Sequence, residues 1–255
     1  MKYVIPTFHP SFILRGNRKY LGIFQQDMAR AVSVLAGWTP EWTHEPFVLR
    51  PTAAQVVDYC RRAIERRAEV ALDIETNGDH VLKARVRCLA LYDGESSMCV
   101  PFLYRDGTFR EFIPEGKKKI KRVAHWATYW SADDYKKVVA AIQSLINHCT
   151  IIFQNGQFDR TGTEASALSE YPRLDLDWSC AKTEDTILAS HVLLPFLPHS
   201  LGFLCSIYLD VCFYKKTEEG EAWSTRNDNE LYLYCCRDTK ATWLIMSKMK
   251  QELGE

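Results

Sequence analysis

Apolar residues recur at helical spacing in three stretches of the chain. Thr52 is placed to cap the first helix, and one face behind it carries Ala53, Val56, Val57, Cys60, Ala63 and Ile64. Ser131 is placed to cap a second helix, which runs to about residue 147. The third helix is predicted over residues 230 to about 249. Its stripe contains Leu231, Tyr234, Cys235, Asp238, Thr242 and Ile245.

Shorter apolar runs predict four strands. They cover residues 70–75, 86–92, 98–102 and 149–153, and Asp93-Gly94 forms a turn between the second and the third. Residues 103–130 receive no assignment, and the chain after residue 153 reads mostly as helices. The order of helix, three strands, helix, strand and helices predicts an α/β fold, in which helices flank a mixed sheet.

Composition narrows the class of protein. The 255 residues carry 32 basic and 32 acidic side chains, so the formal net charge is zero. A neutral chain argues against a protein that coats DNA regardless of sequence, but not against an enzyme whose acids surround a metal. The sequence shows neither a signal peptide nor an apolar run long enough to span a membrane, so we expect a cytoplasmic protein that does not bind membranes.

The nine cysteines form neither a disulfide framework nor a cluster with zinc-ligand spacing. They are therefore predicted to be reduced thiols, many of them in the core. The stretch 38–51 is rich in proline and tryptophan, as expected of a connector. We accordingly divide the chain into a short N-terminal appendage, residues 1–46, and a main domain, residues 47–255.

Asp73 and Glu75 lie at the end of the first predicted strand. Alternate residues of a strand share a face, so both carboxylates point the same way while Leu72 and Ile74 face the core. Two adjacent carboxylates repel each other, and a divalent cation relieves that repulsion. The pattern is weak by itself, because the chain also contains Asp-Leu-Asp at 175–177, which we interpret as a solvated loop.

Two later carboxylates follow apolar elements. Asn155-Gly156 breaks the fourth strand and leads into a helix that carries Asp159 at the carboxyl end of the sheet. An ordinary Asn-Gly turn with a first-turn aspartate would explain the same residues. Tyr234 and Asp238 stand four apart on the last helix and share a face. An ion pair of Asp238 with Arg160 or Arg237 is the alternative to a metal site there.

Together these motifs resemble a known superfamily. Asp-x-Glu at 73–75, Asn-x-x-x-Asp at 155–159 and Tyr-x-x-x-Asp at 234–238 are similar to the three motifs of DEDD exonucleases of the tyrosine subclass. Residues 183–194 and His199-Ser-Leu resemble the segment between the second and third motifs of family A DNA polymerases. The form Phe-Gln-Asn-Gly-Gln-Phe-Asp at 153–159 is similar to proofreading domains of that family, phage enzymes included. The resemblance spans roughly residues 68–250 and implies a ribonuclease H-like fold.

The resemblance implies a 3′-5′ exonuclease that acts at single-stranded DNA 3′ ends and proofreads for a separate polymerase, with phage-encoded enzymes among its relatives. The implied metal ligands, which also count as catalytic, are Asp73, Glu75, Asp159 and Asp238, and they would hold two Mg²⁺ or Mn²⁺ ions. Tyr234 would position the attacking water, since a phenol is a poor base at neutral pH. An enzyme that trims RNA 3′ ends, as ribonuclease D does, and a non-catalytic nucleic-acid-binding module are the alternatives.

The resemblance also implies substrate contacts. The positions concerned are Thr76, Asn77, Asn155, Phe158 and His199. Core packing is the competing role for Phe158, and a structural role competes for His199. The basic run 117–122 would follow a nucleic-acid backbone or form a solvated hairpin tip. Asp185 matches a recurrent acidic position, but we expect it to lie outside the direct metal ligands.

Residues 3–15 lie outside this pattern. They include His9-Pro10-Ser11 and resemble the late His-Pro-Ser motif of family 4 and 5 uracil-DNA glycosylases, and residues 25–31 continue like the helix that follows it. The uracil pocket and the iron–sulfur ligands have no counterpart here. We therefore interpret the stretch as the remnant of a glycosylase C-terminal tail. Its apolar residues should be buried against the helix after Thr52, away from Asp73.

Overall fold

The computed structural model describes residues 5–38, 47–78, 84–112, 121–164, 174–209, 211 and 227–254. The helices are α1 (Pro10–Leu14), α2 (Leu21–Leu35), α3 (Ala53–Glu65), α4 (Ala132–His148), α5 (Gly156–Thr163), α6 (Thr186–Leu193), α7 (Leu201–Tyr208) and α8 (Asp228–Leu253). The strands are β1 (Phe47–Val48), β2 (Glu69–Thr76), β3 (Val86–Tyr92), β4 (Ser97–Pro101), β5 (Leu103–Phe112), β6 (Lys121–Thr128), β7 (Thr150–Phe153) and β8 (Lys182–Asp185). Most of the predicted basic run at 117–122 falls outside the described residues.

Six strands form one mixed sheet in the order β1-β4-β3-β2-β7-β8. The central strand β2 is antiparallel to β3 and parallel to β7, and β8 continues the parallel side. The predicted mixed sheet with flanking helices is therefore confirmed. Because parallel strands end at the same edge, the carboxyl ends of β2, β7 and β8 lie side by side, which is where α/β proteins place their sites.

Helices cover both faces of the sheet. Leu72 and Ile74 of β2 are buried in a cluster with residues of α3 and α4. On the opposite face, Cys88 and Cys99 pack against Cys235 of α8. The predicted alternation along β2 is confirmed, and the carboxylate side of the strand faces α8.

The helix caps agree with the sequence. Thr52 and Gln55 form a capping box at the start of α3, in which each side chain bonds the backbone of the other. The Ser131 side chain accepts the Asp134 N–H at the start of α4. Both helices begin one residue after the predicted cap, and α8 extends beyond its predicted ends.

Two parts of the fold were not predicted. The unassigned residues 103–130 contain the antiparallel hairpin β5–β6, a second sheet. The chain after residue 153, which was predicted to be mostly helical, contains β8, whose first two residues, Lys182 and Thr183, are exposed. An edge strand this polar lacks the alternation that signals a strand in sequence.

The cysteines agree with the prediction of reduced thiols. Within the described part of the chain they are free, and all except Cys180 are buried. Among the same residues, no helix has both the length and the apolarity to cross a bilayer.

The predicted burial of the N-terminal appendage against α3 was wrong. The α2 side chains of Gln26 and Arg30 instead donate hydrogen bonds to carbonyls at the end of α7, and Arg30 reaches Ser206 O at 3.1 Å. The last carbonyls of a helix have no N–H partner within that helix, so polar side chains of α2 can dock there by donating hydrogen bonds to them. The apolar residues remain largely outside, since Leu14 and Leu35 are 80% and 88% exposed, although Ile13 is buried.

A candidate metal centre at the end of β2

Asp73 and Glu75 lie side by side on the α8 face of β2, and both are half-buried. Cys235 of α8 joins them: one ligand atom from each of the three residues lies within 4.8 Å of the others. The Cys235 thiol lies 3.4 Å from Asp73 Oδ2, at hydrogen-bonding distance for sulfur. The structure thus places the first predicted carboxylate pair against the helix that carries the last predicted motif.

Asp159 approaches the same strand from α5. The Ile74 N–H donates to Asp159 Oδ1 at 2.9 Å, and Ile74 is the residue between Asp73 and Glu75. The Asp159 side chain is buried, and this burial raises its pKa to about 7 from an ordinary value of 3.8. The Ile74 N–H acts in the opposite direction, while the charge of Asp185 adds to the rise. In the absence of a cation, the Asp159 carboxyl is therefore still partly protonated at neutral pH.

The turn before α5 explains how Asp159 reaches β2. Asn155 adopts the left-handed conformation, with φ of 70° and ψ of 48°, which asparagine tolerates better than most residues. Gly156 follows because a Cβ at this position would overlap the Phe153 side chain. The chain therefore reverses within two residues after β7, and the first turn of α5 turns Asp159 toward the sheet.

Tyr234 and Asp238 lie one turn apart on α8, which packs against β2 and β3. Tyr234 is half-buried, and Asp238 is buried. Within the described ranges, the group of metal-ligand atoms that fits inside 4.8 Å contains neither Asp159 nor Asp238. Asp73, Glu75 and Asp159 thus meet at β2, and Tyr234 and Asp238 lie on the helix that packs against this strand.

Cys235 was predicted only as part of an apolar stripe. It stands three residues before Asp238, and residues three apart share a helix face, so a helix that turns Asp238 toward β2 also brings Cys235 close to it. That spacing was the available signal for a site residue. Because cysteine is a common core residue, nothing in the sequence favoured a contact of Cys235 with Asp73.

The first two predicted substrate residues, Thr76 and Asn77, are the last residue of β2 and the residue that follows it. Thr76 donates its hydroxyl to Gly78 O at 2.6 Å, and the Asn77 side chain accepts the Arg85 N–H at 2.8 Å. Both side chains are half-buried and therefore partly accessible. The Asn77–Arg85 hydrogen bond joins residues on either side of the connection between β2 and β3.

The other predicted substrate residues have mixed surroundings. Phe158 packs on the main core and is half-buried. Asn155 is exposed and lines a cavity of about 830 Å³ between α5, α6 and the end of α8. His199 shares a hydrogen bond of 2.9 Å with the Ser190 hydroxyl, and its ring lies against that of His191. Desolvation and the His191 charge lower the pKa of His199, and both agree with the structural alternative.

The decoy pair at 175–177 differs from the pair on β2. Asp175 and Asp177 are both exposed, as predicted, and Asp177 accepts the Ser179 N–H in a local turn.

A comparison with protein families decides the class of the chain. The model of the 3′-5′ exonuclease family matches residues 51–254. The chain belongs to this family. Its motifs at Asp73, Asp159 and Asp238 all lie inside the matched range, so the chain contains a 3′-5′ exonuclease domain. A search of curated proteins finds no significant match.

Solved structures support the fold of the exonuclease domain. The catalytic core of Trypanosoma brucei RRP6 is 15% identical, with a TM-score of 0.55 over 84% of this chain and 49% of that one. Escherichia coli RNase D is 14% identical, with a TM-score of 0.52 over 82% and 45%. The Aedes aegypti Nibbler EXO domain is 11% identical, with a TM-score of 0.51 over 85% and 92%. The chain spans about half the length of the RRP6 and RNase D structures, and the shared fold is ribonuclease H-like.

Proposed function

We propose that the chain is a metal-dependent 3′-5′ exonuclease that hydrolyses phosphodiester bonds at the single-stranded 3′ ends of DNA. The carrying observation is the close approach of Asp73, Glu75 and Cys235, whose ligand atoms lie within 4.8 Å of one another. Asp159 is hydrogen-bonded to the same stretch of β2. Carboxylates crowded in this way are costly without a cation to offset their charge.

The donor set fits Mg²⁺ or Mn²⁺. Asp73, Glu75, Asp159 and Asp238 offer hard oxygen ligands, and these cations prefer such ligands. When bound, two such ions would lower the pKa of the attacking water and stabilise the charge that develops on the leaving 3′ oxygen. Ligation would also require Asp159 to release the proton that its burial favours.

Tyr234 and Cys235 have supporting roles in the proposed site. The Tyr234 hydroxyl would orient the water, because a phenol is a poor base at neutral pH. Cys235 contacts Asp73 Oδ2 and so restricts its rotation. Thr76, Asn77, Asn155, Phe158 and His199 are proposed to border the terminal nucleotides.

DNA is the proposed substrate because the segment 153–159 resembles proofreading domains of family A polymerases. A polymerase supplied as a separate chain is the proposed partner. The RNase D structure is described as that of an exoribonuclease involved in structured RNA processing, but at 14% identity it supports the fold alone. RNA trimming is therefore a competing outcome of the same assay.

The test is digestion of single-stranded DNA, duplex DNA and RNA of matched sequence, each labelled at the 5′ end, with Mg²⁺ or Mn²⁺. We expect metal-dependent shortening from the 3′ end, with DNA preferred. Asp73→Ala and Asp238→Ala should each abolish cleavage while the protein remains folded, because each removes a proposed metal ligand. Asp177→Ala is the matched control, since Asp177 is exposed in the decoy pair.

The outcomes separate the alternatives. Preference for RNA would replace the proposed substrate with RNA and leave the metal site in place. Binding of nucleic acid without cleavage of any substrate would favour the non-catalytic module. Retention of more than a few per cent of turnover in the Asp73 variant would contradict the metal assignment.

A further inference from the structure

Asp185 makes hydrogen bonds at the start of two helices, α5 and α6, beside the turn that follows β7. It is the last residue of β8 and lies opposite Phe153, the last residue of β7, in the parallel pairing. The same residue is the N-cap of α6, where its Oδ1 accepts the Ile187 N–H at 2.9 Å. One carboxylate therefore begins a helix at the edge where α5 also begins.

The second set of contacts reaches α5. The Asn155 N–H donates to Asp185 Oδ1 at 3.1 Å, and the Gly156 N–H donates to Oδ2 at 2.8 Å. Asn155 occupies the N-cap position of α5, but its own side chain makes no capping bond. Asp185 thus satisfies two N–H groups at the start of α5 that have no acceptor within the helix.

The turn held in this way determines where Asp159 lies. Asn155 is left-handed, and Gly156 fits closely beside Phe153, so the turn has a conformation that needs support. Asp159 follows three residues after Gly156, in the first turn of α5, and reaches the Ile74 N–H at 2.9 Å. A change in the direction of α5 would move Asp159 relative to Asp73 and Glu75.

We propose that Asp185 is a positioning residue of the metal centre, which acts by fixing the start of α5 and thereby the place of Asp159. This inference rests on the proposed function. Thr186 supports the same junction, because its hydroxyl donates to Phe153 O at 3.0 Å. Removal of outer partners of metal ligands typically weakens metal binding about 10–100-fold.

Two variants separate the roles of Asp185. Asp185→Ser keeps a side chain that caps α6 well but is too short to replace both oxygens at α5. Asp185→Asn keeps one acceptor oxygen and replaces the other with a donor. Asp106→Asn is the matched control, because Asp106 accepts the Thr108 N–H in the β5–β6 hairpin.

The measurement is the Mn²⁺ dissociation constant of the full chain by electron paramagnetic resonance, with folding followed by circular dichroism. We expect about 10–100-fold weaker binding in both Asp185 variants and less than about 2-fold change in the Asp106 variant. A double-mutant cycle supplies the second readout. In an Asp159→Asn background, Asp185→Ser should change the constant by less than about 2-fold.

Each outcome of these measurements either supports or overturns the positioning role of Asp185. Folded Asp185 variants that bind Mn²⁺ as tightly as the wild type would overturn the positioning role while leaving the proposed function intact. A full loss that persists in the Asp159→Asn background would also overturn it, because Asp185 would then act by another route. Failure of the wild type to bind Mn²⁺ and to cleave would contradict the proposed function and, with it, this inference.

Discussion

Asp159→Asn should make the metal-free protein more stable at alkaline pH. The wild-type carboxyl has a folded pKa of about 7 against an ordinary value of 3.8, with burial as the main cause. The folded state thus holds this proton more tightly than the unfolded chain does. Stability falls as pH rises through the interval between the two values, and the loss is complete above the folded pKa. Asparagine keeps an oxygen that can accept the Ile74 N–H but never ionises.

The magnitude follows from the shift in pKa. At ~1.4 kcal/mol per pKa unit, the whole effect is about 4 kcal/mol, and roughly 2–3 kcal/mol of it falls between pH 5 and pH 8. For a chain of this size, 1 kcal/mol corresponds to roughly 2–4 °C in Tm. The Tm of the Asp159 variant relative to the wild type should therefore rise by about 5–10 °C across that interval.

The assay is thermal unfolding of both proteins from pH 5 to pH 8 in EDTA, then with Mg²⁺. Mg²⁺ should raise the Tm of the wild type more than that of the variant, because the cation stabilises the ionised carboxylate. Asp177→Asn is the control. Hydrogen bonds from Ser179 lower the pKa of Asp177, so its ionisation is complete below the interval. A Tm difference for Asp159→Asn that stays constant with pH would refute the reasoning.

Other predictions concern single features. Tyr234→Phe should slow turnover by about 10²–10⁴-fold with little change in DNA affinity, as single-turnover and binding assays would show; an unchanged rate would reduce Tyr234 to packing. Gly156→Ala should lower both Tm and cleavage, whereas Gly22→Ala, which has open space around it, should not. Deletion of residues 1–45 should leave metal-dependent cleavage intact and lower stability, and the full chain should release no uracil. Loss of cleavage by the folded, metal-binding deletion would place the appendage in the active site.

The parts of the fold that could be predicted from the sequence are those in which the spacing of apolar residues matches the face that the fold buries. Along β2, Leu72 and Ile74 alternate with Asp73 and Glu75, and the sheet has one face under α3 and α4 and the other under α8. Period and burial agree there, so the faces could be assigned from the sequence. The division at residue 46 and the glycosylase resemblance stay predictions.

The elements that were missed lack such a period. The strand β8 contains Lys182-Thr-Glu-Asp185, in which no apolar residue signals a buried face. It pairs with β7 at the edge of the sheet, where only one side of the strand needs a partner. The docking of α2 was missed for a related reason, since polar contacts of Arg30 with carbonyls at the end of α7 hold it rather than its apolar stripe.

Two similar carboxylate pairs show why the metal site could not be identified from a single sequence motif without the fold. Asp73-Ile-Glu75 and Asp175-Leu-Asp177 both place acids on either side of a buried apolar residue. Asp175, however, has a left-handed backbone with φ of 54°, and both aspartates of this second pair are exposed to water. Water already solvates that pair, so it has no need of a cation. The pair on β2 acquires its chemistry from its neighbours, because the central strand brings it against α8 and beneath the first turn of α5.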